Sequence, residues 1–205
     1  MAAVTVSLYD IKPRFQQQLL PLVRWMAALG VTPNQLTVSA ALLSVLAGAT
    51  VAVQPQARWP LLLLPVVLLV RMALNAADGM LARDHGMQSR LGAVLNEIGD
   101  VVSDAALYLP LALVPGFGPT AVVVVVVLAA ICEIAGLAAV LIGSGRRHDG
   151  PMGKSDRAFW LGALALAAGV GAIPGAWVDA VLWLIAALLI VTAANRVVRA
   201  LRETT

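Results

Sequence analysis

Six long apolar stretches, each close to the width of a bilayer, leave this chain few folds to choose from. They run from Leu36 to Val53, Trp59 to Ala82, Leu91 to Val114, Thr120 to Ile142, Ala158 to Ile173 and Ala176 to Val198. A helix crosses the hydrocarbon core with roughly 20 apolar residues. Short Pro- and Gly-containing connections separate several of them: Gln54-Pro55-Gln56, the run from Pro115 to Pro119, and Pro174-Gly175. Such connections imply antiparallel neighbours in a compact bundle. The 205 residues are 60% hydrophobic and only 12% charged, with a mean hydropathy of +0.90. A soluble domain is about 25% charged and could not hide this much apolar surface. The expected fold is an all-α membrane protein with six transmembrane helices, preceded by an N-terminal amphipathic interfacial helix.

That first helix is read between Leu8 and Leu29, where apolar residues alternate with Lys12, Arg14, Gln16, Gln17, Gln18 and Arg24. Trp25 then sits near headgroup level. Thr32-Pro33-Asn34 reads as a helix start, because threonine caps and proline suits the first helical position. These signals divide the chain into an interfacial segment, residues 1–31, and a transmembrane domain, residues 32–205. With six spans, all of the 14 Lys and Arg residues fall on the side of the termini except Arg58, opposite, and Arg71, within a span. The positive-inside rule puts that side in the cytoplasm. Trp59, Trp160, Trp177 and Trp183 read as an interfacial belt.

Other classes fall away. Cys132 is the single cysteine, so a disulfide scaffold is excluded, and the residue reads as core. Hydrophobicity excludes disorder. A net charge of +3 in separate short loops gives no nucleic-acid footprint. The first apolar run is broken by Asp10, Lys12, Pro13 and Arg14, so the N-terminus does not read as a secretory signal.

Ionisable residues inside apolar spans are expensive and mark function. Here they concentrate at one end of the second and third spans. Arg71, Asn75 and Asp78 fall at i, i+4 and i+7 on one stripe, and Asn96, Asp100 and Asp104 are four apart on another. The connection from Asp84 to Ser89 is short, so the stripes can face each other near the cytoplasmic surface. Carboxylate and amide oxygens converging from two helices suit a hard cation such as magnesium. No Cys/His cluster argues for zinc. Gly79, Gly92 and Gly99 allow close approach of a ligand or a neighbouring helix.

The run Asn75-x-x-Asp78-Gly79-x-x-Ala82-Arg83, then eight residues, then Gly92-x-x-x-Asn96-x-x-x-Asp100 is similar to the signature of the CDP-alcohol phosphotransferases, D-x2-D-G-x2-A-R-x8-9-G-x3-D-x3-D. The Thr32-Pro33-Asn34 entry and the six-span plan fit the same family, and the chain resembles a small bacterial branch of it. The resemblance implies a multi-pass protein of the bacterial inner membrane. It would transfer a substituted phosphate from a CDP-linked lipid, CDP-diacylglycerol in most bacterial members, to the hydroxyl of a small polar acceptor, releasing CMP. It also implies a magnesium or manganese cofactor and a homodimer. Asp78, Asn75 and Asn96 would hold metal and diphosphate. Asp100 would be general base or ligand. Gly79, Ala82, Arg83 and Gly92 would line the nucleotide site.

The departure lies at Asn75 and Asn96, where the family has aspartates. An amide oxygen still coordinates a hard cation but brings no charge. Asp104, one turn beyond Asp100, is the better substitute ligand, since Glu97 points about 100° away. The loop from Arg146 to Arg157 resembles the Gly-Lys loop that contacts acceptor phosphate in many members, which nominates Arg146, Arg147, Lys154 and Arg157. Gly153-Lys154-Ser155 is not a P-loop, because His148 stands where the upstream glycine belongs. Glu133, mid-span, reads as half of a buried ion pair with Arg71 or as a lining of the acceptor cavity. His85 and His148 read as solvated loop residues. Two other classes share these residues: a six-span ion transporter, and a non-catalytic binding or scaffold protein that has lost two acids.

Overall fold

A computed structural model describes the backbone of residues 12–172 and 175–204. Among them are seven α-helices and no strand: α1 (Lys12–Ala28), α2 (Pro33–Val53), α3 (Trp59–Asp84), α4 (Arg90–Tyr108), α5 (Pro119–Leu141), α6 (Lys154–Gly169) and α7 (Gly175–Thr204). Each apolar stretch read from the sequence contains one of these helices. Four of the helices, α2, α3, α5 and α7, are long and apolar enough to cross a membrane. α6 is short, and α4 carries Arg90, Glu97, Asp100 and Asp104. The residues from Leu8 to Ile11, where the first helix was expected to begin, lie outside the described residues, as do Ile173 and Pro174.

Local chemistry explains the ends. Thr32 caps α2 as expected: its Oγ1 accepts from the Gln35 amide at 3.3 Å, while Gln35 Oε1 accepts from the Thr32 amide at 2.9 Å, with Pro33 in the first turn. The third stretch is helical only to Tyr108 and then tightens into a 3-10 turn over Leu109–Leu113. Pro110 lacks the amide that would continue the ladder and disfavours α geometry before it. α6 begins at Lys154, earlier than expected, because Asp156 Oδ2 accepts from the Gly153 amide at 3.0 Å and fixes the first turn there.

α2 packs against α3 and α4, α3 against α6, and α5 against α7. Leu64, Leu68, Leu107, Tyr108, Val125, Leu161, Leu182 and Leu189 share one core. Gly48 permits the α2–α4 contact: a Cβ there would collide with the carbonyl of Ala106. A smaller cluster joins Val23 of α1 to Leu36, Ala77, Met80 and Leu81, which seats α1 beside Asp78. The outer surface is apolar, with Leu46 67%, Leu69 64% and Ile134 62% exposed, and Trp59, Trp160, Trp177 and Trp183 open to the outside. The largest fully buried side chains are instead Arg157 and Arg196. An apolar exterior around a charged interior inverts the pattern of a soluble bundle, and the protein is an integral membrane protein.

Candidate active site

Two polar centres meet inside the bundle, joined by Arg71. The first is built where the end of α3 crosses the first half of α4. Asp78 is buried, and its Oδ2 accepts from Thr37 Oγ1 of α2 at 2.8 Å. Asp100 faces it closely enough for the two carboxylates to interact electrostatically. Asn75 donates from Nδ2 to Asp100 Oδ1 at 3.2 Å. Lys154, from the start of α6, donates to the same oxygen, and Arg71 stands 3.6 Å from it. The stripes expected from helical spacing do face each other. Asn96 sits one turn before Asp100, partly exposed.

The glycines shape the rim. A Cβ on Gly92 would come within 2.7 Å of Asn34 Oδ1, and one on Gly79 within 3.0 Å of the Arg83 guanidinium, which lies exposed across it. Ala82 is half-buried on the same turn. A side chain at either glycine would press on these polar neighbours.

The second centre corrects several expectations. Asp104 is not turned toward Asp78. Its Oδ1 accepts from Arg71 at 2.5 Å and its Oδ2 from Arg157 at 2.9 Å. Both oxygens are occupied by guanidinium groups, so Asp104 holds arginines together. Arg157 was expected at an acceptor phosphate. It is instead fully buried, bridging Asp104 and Glu133 at 2.9 Å each. Glu133 does form a buried ion pair, but with Arg157, Arg146 at 3.3 Å and Arg196 at 3.6 Å rather than with Arg71. Arg71 is already engaged by Asp104. Arg146 also pairs with Glu97. Within the two centres, Arg71, Arg146, Lys154, Arg157 and Arg196 are matched one for one by Asp78, Glu97, Asp100, Asp104 and Glu133. Arg71 Nε, Arg157 Nη1 and Tyr108 Oη are buried without a hydrogen-bond partner among the described residues.

Arg147 lies outside both centres. It pairs with Asp149 at 2.7 Å and with Glu203 of α7. Asp149 also meets Arg199 at 2.5 Å. Burial alone would raise the Asp149 carboxyl, but hydrogen bonds from Arg147 and Arg199 outweigh it and hold it below the usual range. Met152 donates its amide to Thr192 at 3.0 Å. The α5–α6 loop is thereby latched onto the last turns of α7.

Sequence reasoning missed Thr37, Asn34 and Arg196. Asn34 and Thr37 are polar residues three apart at the start of an apolar helix, a signal that was present. Arg196 was read only as a cytoplasmic positive charge. It reaches the Cys132 carbonyl and the Asp149 carbonyl, contacts that only the assembled bundle creates.

A divalent cation fits the first centre. The centre offers oxygens from the Asp78 and Asp100 carboxylates and the Asn75 side chain, whose Nδ2 is turned to Asp100, and an ammonium group already compensates Asp100. Among the described residues, no three His, Cys, Asp or Glu side chains converge as a metal cluster, which follows from the two asparagines.

The CDP-alcohol phosphatidyltransferase family model matches residues 30–194. Inner membrane protein YnbA of Escherichia coli K12 is 44% identical over 194 residues, covering 93% of this chain and 94% of that protein. Archaetidylinositol phosphate synthase of Pyrococcus horikoshii is 37% identical over 106 residues, covering 52% of this chain and 54% of that protein. The structure of phosphatidylinositol phosphate synthase of Mycobacterium tuberculosis with CDP-DAG bound superposes with a TM-score of 0.73, at 22% identity, over 88% of this chain and 92% of that one. The same enzyme with manganese and citrate gives 0.69 at 24% identity, over 88% and 87%. At those identities the likeness shows the fold.

Proposed function

Because the chain belongs to the CDP-alcohol phosphatidyltransferase family, and is therefore an enzyme of phosphatidyl transfer in phospholipid synthesis, we propose that it moves a phosphatidyl group from CDP-diacylglycerol to a small polar alcohol and releases CMP. The observation that carries this reading is the pair Asp78 and Asp100, offered by adjoining helices with Lys154 donating to Asp100. The bound lipid of the mycobacterial enzyme supports the donor. So does a groove of about 260 Å³ between α4 and α5, lined by Ile98, Val101, Val102, Ile134 and Leu137 with the carboxylates of Glu97 and Glu133 among them. The name of the archaeal relative supports a phosphorylated acceptor. Lys154, at the Asp78–Asp100 pair, is the cation nearest to meet one; Arg146, Arg147 and Arg157 are engaged in ion pairs with Glu97 and Glu133, with Asp149 and Glu203, and with Asp104 and Glu133.

The chemistry is phosphoryl transfer, which needs positioning and charge stabilisation. Asp78, Asp100 and the amide oxygens of Asn75 and Asn96 would hold a magnesium or manganese ion, which neutralises the donor's diphosphate. The acceptor oxygen bonds to the β-phosphorus as the bond to the CMP oxygen breaks. Asp100 takes the hydroxyl proton. Asp78 is kept in place by Thr37, and Arg71 fixes the α4 backbone by donating to the Asp100 carbonyl at 3.2 Å. Gly79, Ala82 and Gly92 keep side chains out of the nucleotide's path, and Arg83 meets a phosphate.

In this reading α4 and α6 complete a six-span bundle, residues 32–205, whose charged helices are shielded by their neighbours. The segment 1–31 lies at the interface through α1, and Trp25, 60% exposed, anchors it. Both termini are cytoplasmic, the membrane is the inner one named for the Escherichia coli relative, and the enzyme is a homodimer. Purified protein given labelled CDP-diacylglycerol, manganese and a panel of acceptors should release CMP and form one new phosphodiester. Asp100→Asn should abolish turnover while leaving the thermal midpoint intact. Absence of CMP with every acceptor would move the chain to the scaffold reading.

A further inference from the structure

We infer that this active site works with one divalent cation, and that the Lys154 ammonium group takes the place of a second. The inference rests on the phosphotransferase reading but concerns charge, not activity. Asp78 and Asp100 are the carboxylates that the facing stripes of α3 and α4 bring together, where the matching four-acid signature would bring twice the negative charge. A pair of divalent ions at the shortest useful separation repel each other strongly, and only a dense set of acids offsets that. Two neutral amides offset none of it.

The geometry around Asp100 shows what this chain has instead. Lys154 donates to Asp100 Oδ1 from the first residue of α6, and it also interacts electrostatically with Asp78. Asn75 turns its NH2 group to that same oxygen at 3.2 Å. An aspartate at position 75 could not donate; it would repel Asp100. The asparagine and the lysine therefore form one arrangement, in which Asp100 is held by donors from two neighbouring helices. Lys154 is fixed rather than free to wander, because the Asp156 cap sets the start of α6 and Met152, two residues earlier, is pinned to Thr192. The charges of the two centres already balance in this state. One divalent ion leaves a surplus that the donor's diphosphate cancels, and a second ion would exceed it.

Manganese binding counts this directly without turnover. Purified wild-type protein in detergent, titrated with Mn2+ and followed by electron paramagnetic resonance, should bind one ion per chain. Lys154→Gln removes a positive charge beside the ion, so it should tighten Mn2+ binding in the absence of substrate by about tenfold or more. A lysine whose charge does not act on the ion's site would leave that affinity unchanged. Asn75→Asp with Asn96→Asp should add a second Mn2+. Two ions in the wild-type protein, or an unaltered affinity in Lys154→Gln, would overturn the inference while a protein that still releases CMP keeps the phosphotransferase reading. One ion and no CMP would do the reverse.

Discussion

Replacing Arg157 by methionine tests the inverted core most directly. Arg157 is 0% exposed, and its guanidinium reaches Asp104 and Glu133 at 2.9 Å each. Breaking a buried ion pair by removing one partner costs about 3–5 kcal/mol, because the other charge is left behind. Here Asp104 keeps Arg71 at 2.5 Å, and Glu133 keeps Arg146 at 3.3 Å and Arg196 at 3.6 Å. The remaining partners put the loss at the lower end, about 3 kcal/mol. For a chain of this length 1 kcal/mol moves the thermal midpoint by about 2–4 °C, so Arg157→Met should lower it by about 6–12 °C. The assay is thermal unfolding of the detergent-purified protein at one fixed scan rate, read by fluorescence-detected size exclusion. A double variant, Arg157→Met with Glu133→Gln, removes one charge of each sign, leaves Asp104 on Arg71 and Arg196 on the Cys132 carbonyl, and should recover part of the loss. An unchanged midpoint in the single variant, with weakened binding of a phosphorylated acceptor, would refute the structural role and return Arg157 to the substrate site. A double variant no better than the single one would show that the loss has another origin.

Three further outcomes follow from the packing and the loop. Gly48→Val should destabilise the α2–α4 contact by about 1–3 kcal/mol, since the added carbons meet the Ala106 carbonyl; a midpoint equal to wild type would show that the two helices can part freely. Thr37→Val removes the hydroxyl that Asp78 accepts from and should loosen Mn2+ binding with no change in oligomeric state; unaltered metal affinity would free Asp78 from that support. Asp149 has its folded pKa below its unfolded one, so its contribution is present above the unfolded value and fades as pH falls through the folded one. The midpoint gap between wild type and Asp149→Asn should therefore narrow from about pH 7 to about pH 3; a constant gap would mean that the loop's ion pairs contribute nothing.

What could be read in the sequence was local or periodic. The capping box at Thr32 involves residues three apart, and the facing stripes of α3 and α4 follow from helical spacing and a short connection. Periodicity also put Asp104 on the stripe of Asp100, correctly. It could not say that Arg71 from α3 and Arg157 from α6 would take both its oxygens. Arg157 looked like a loop residue because nothing in composition reveals that the Asp156 cap starts α6 at Lys154, which turns Arg157 inward. Lys154 and Asp100 lie 54 positions apart, and Arg196 and Cys132 64; contacts at such separations depend on how the whole bundle closes. The end of α4 was legible in principle, since Pro110 was visible, but the apolar run beyond it hid the break.

The ion pairs between the α5–α6 loop and α7 also set an order of events during synthesis. Arg147 and Glu203 are 56 residues apart. At ribosomal speeds of about 5–20 residues per second, the loop waits about 3–11 s for its clasp to be made. Throughout that interval the loop is held only from the side already made, by Arg146 on Glu97 and Glu133. The buried ion-pair cluster is likewise finished only when the final helix has been threaded, because Arg196 of α7 is the last cation to reach Glu133 and the Cys132 carbonyl.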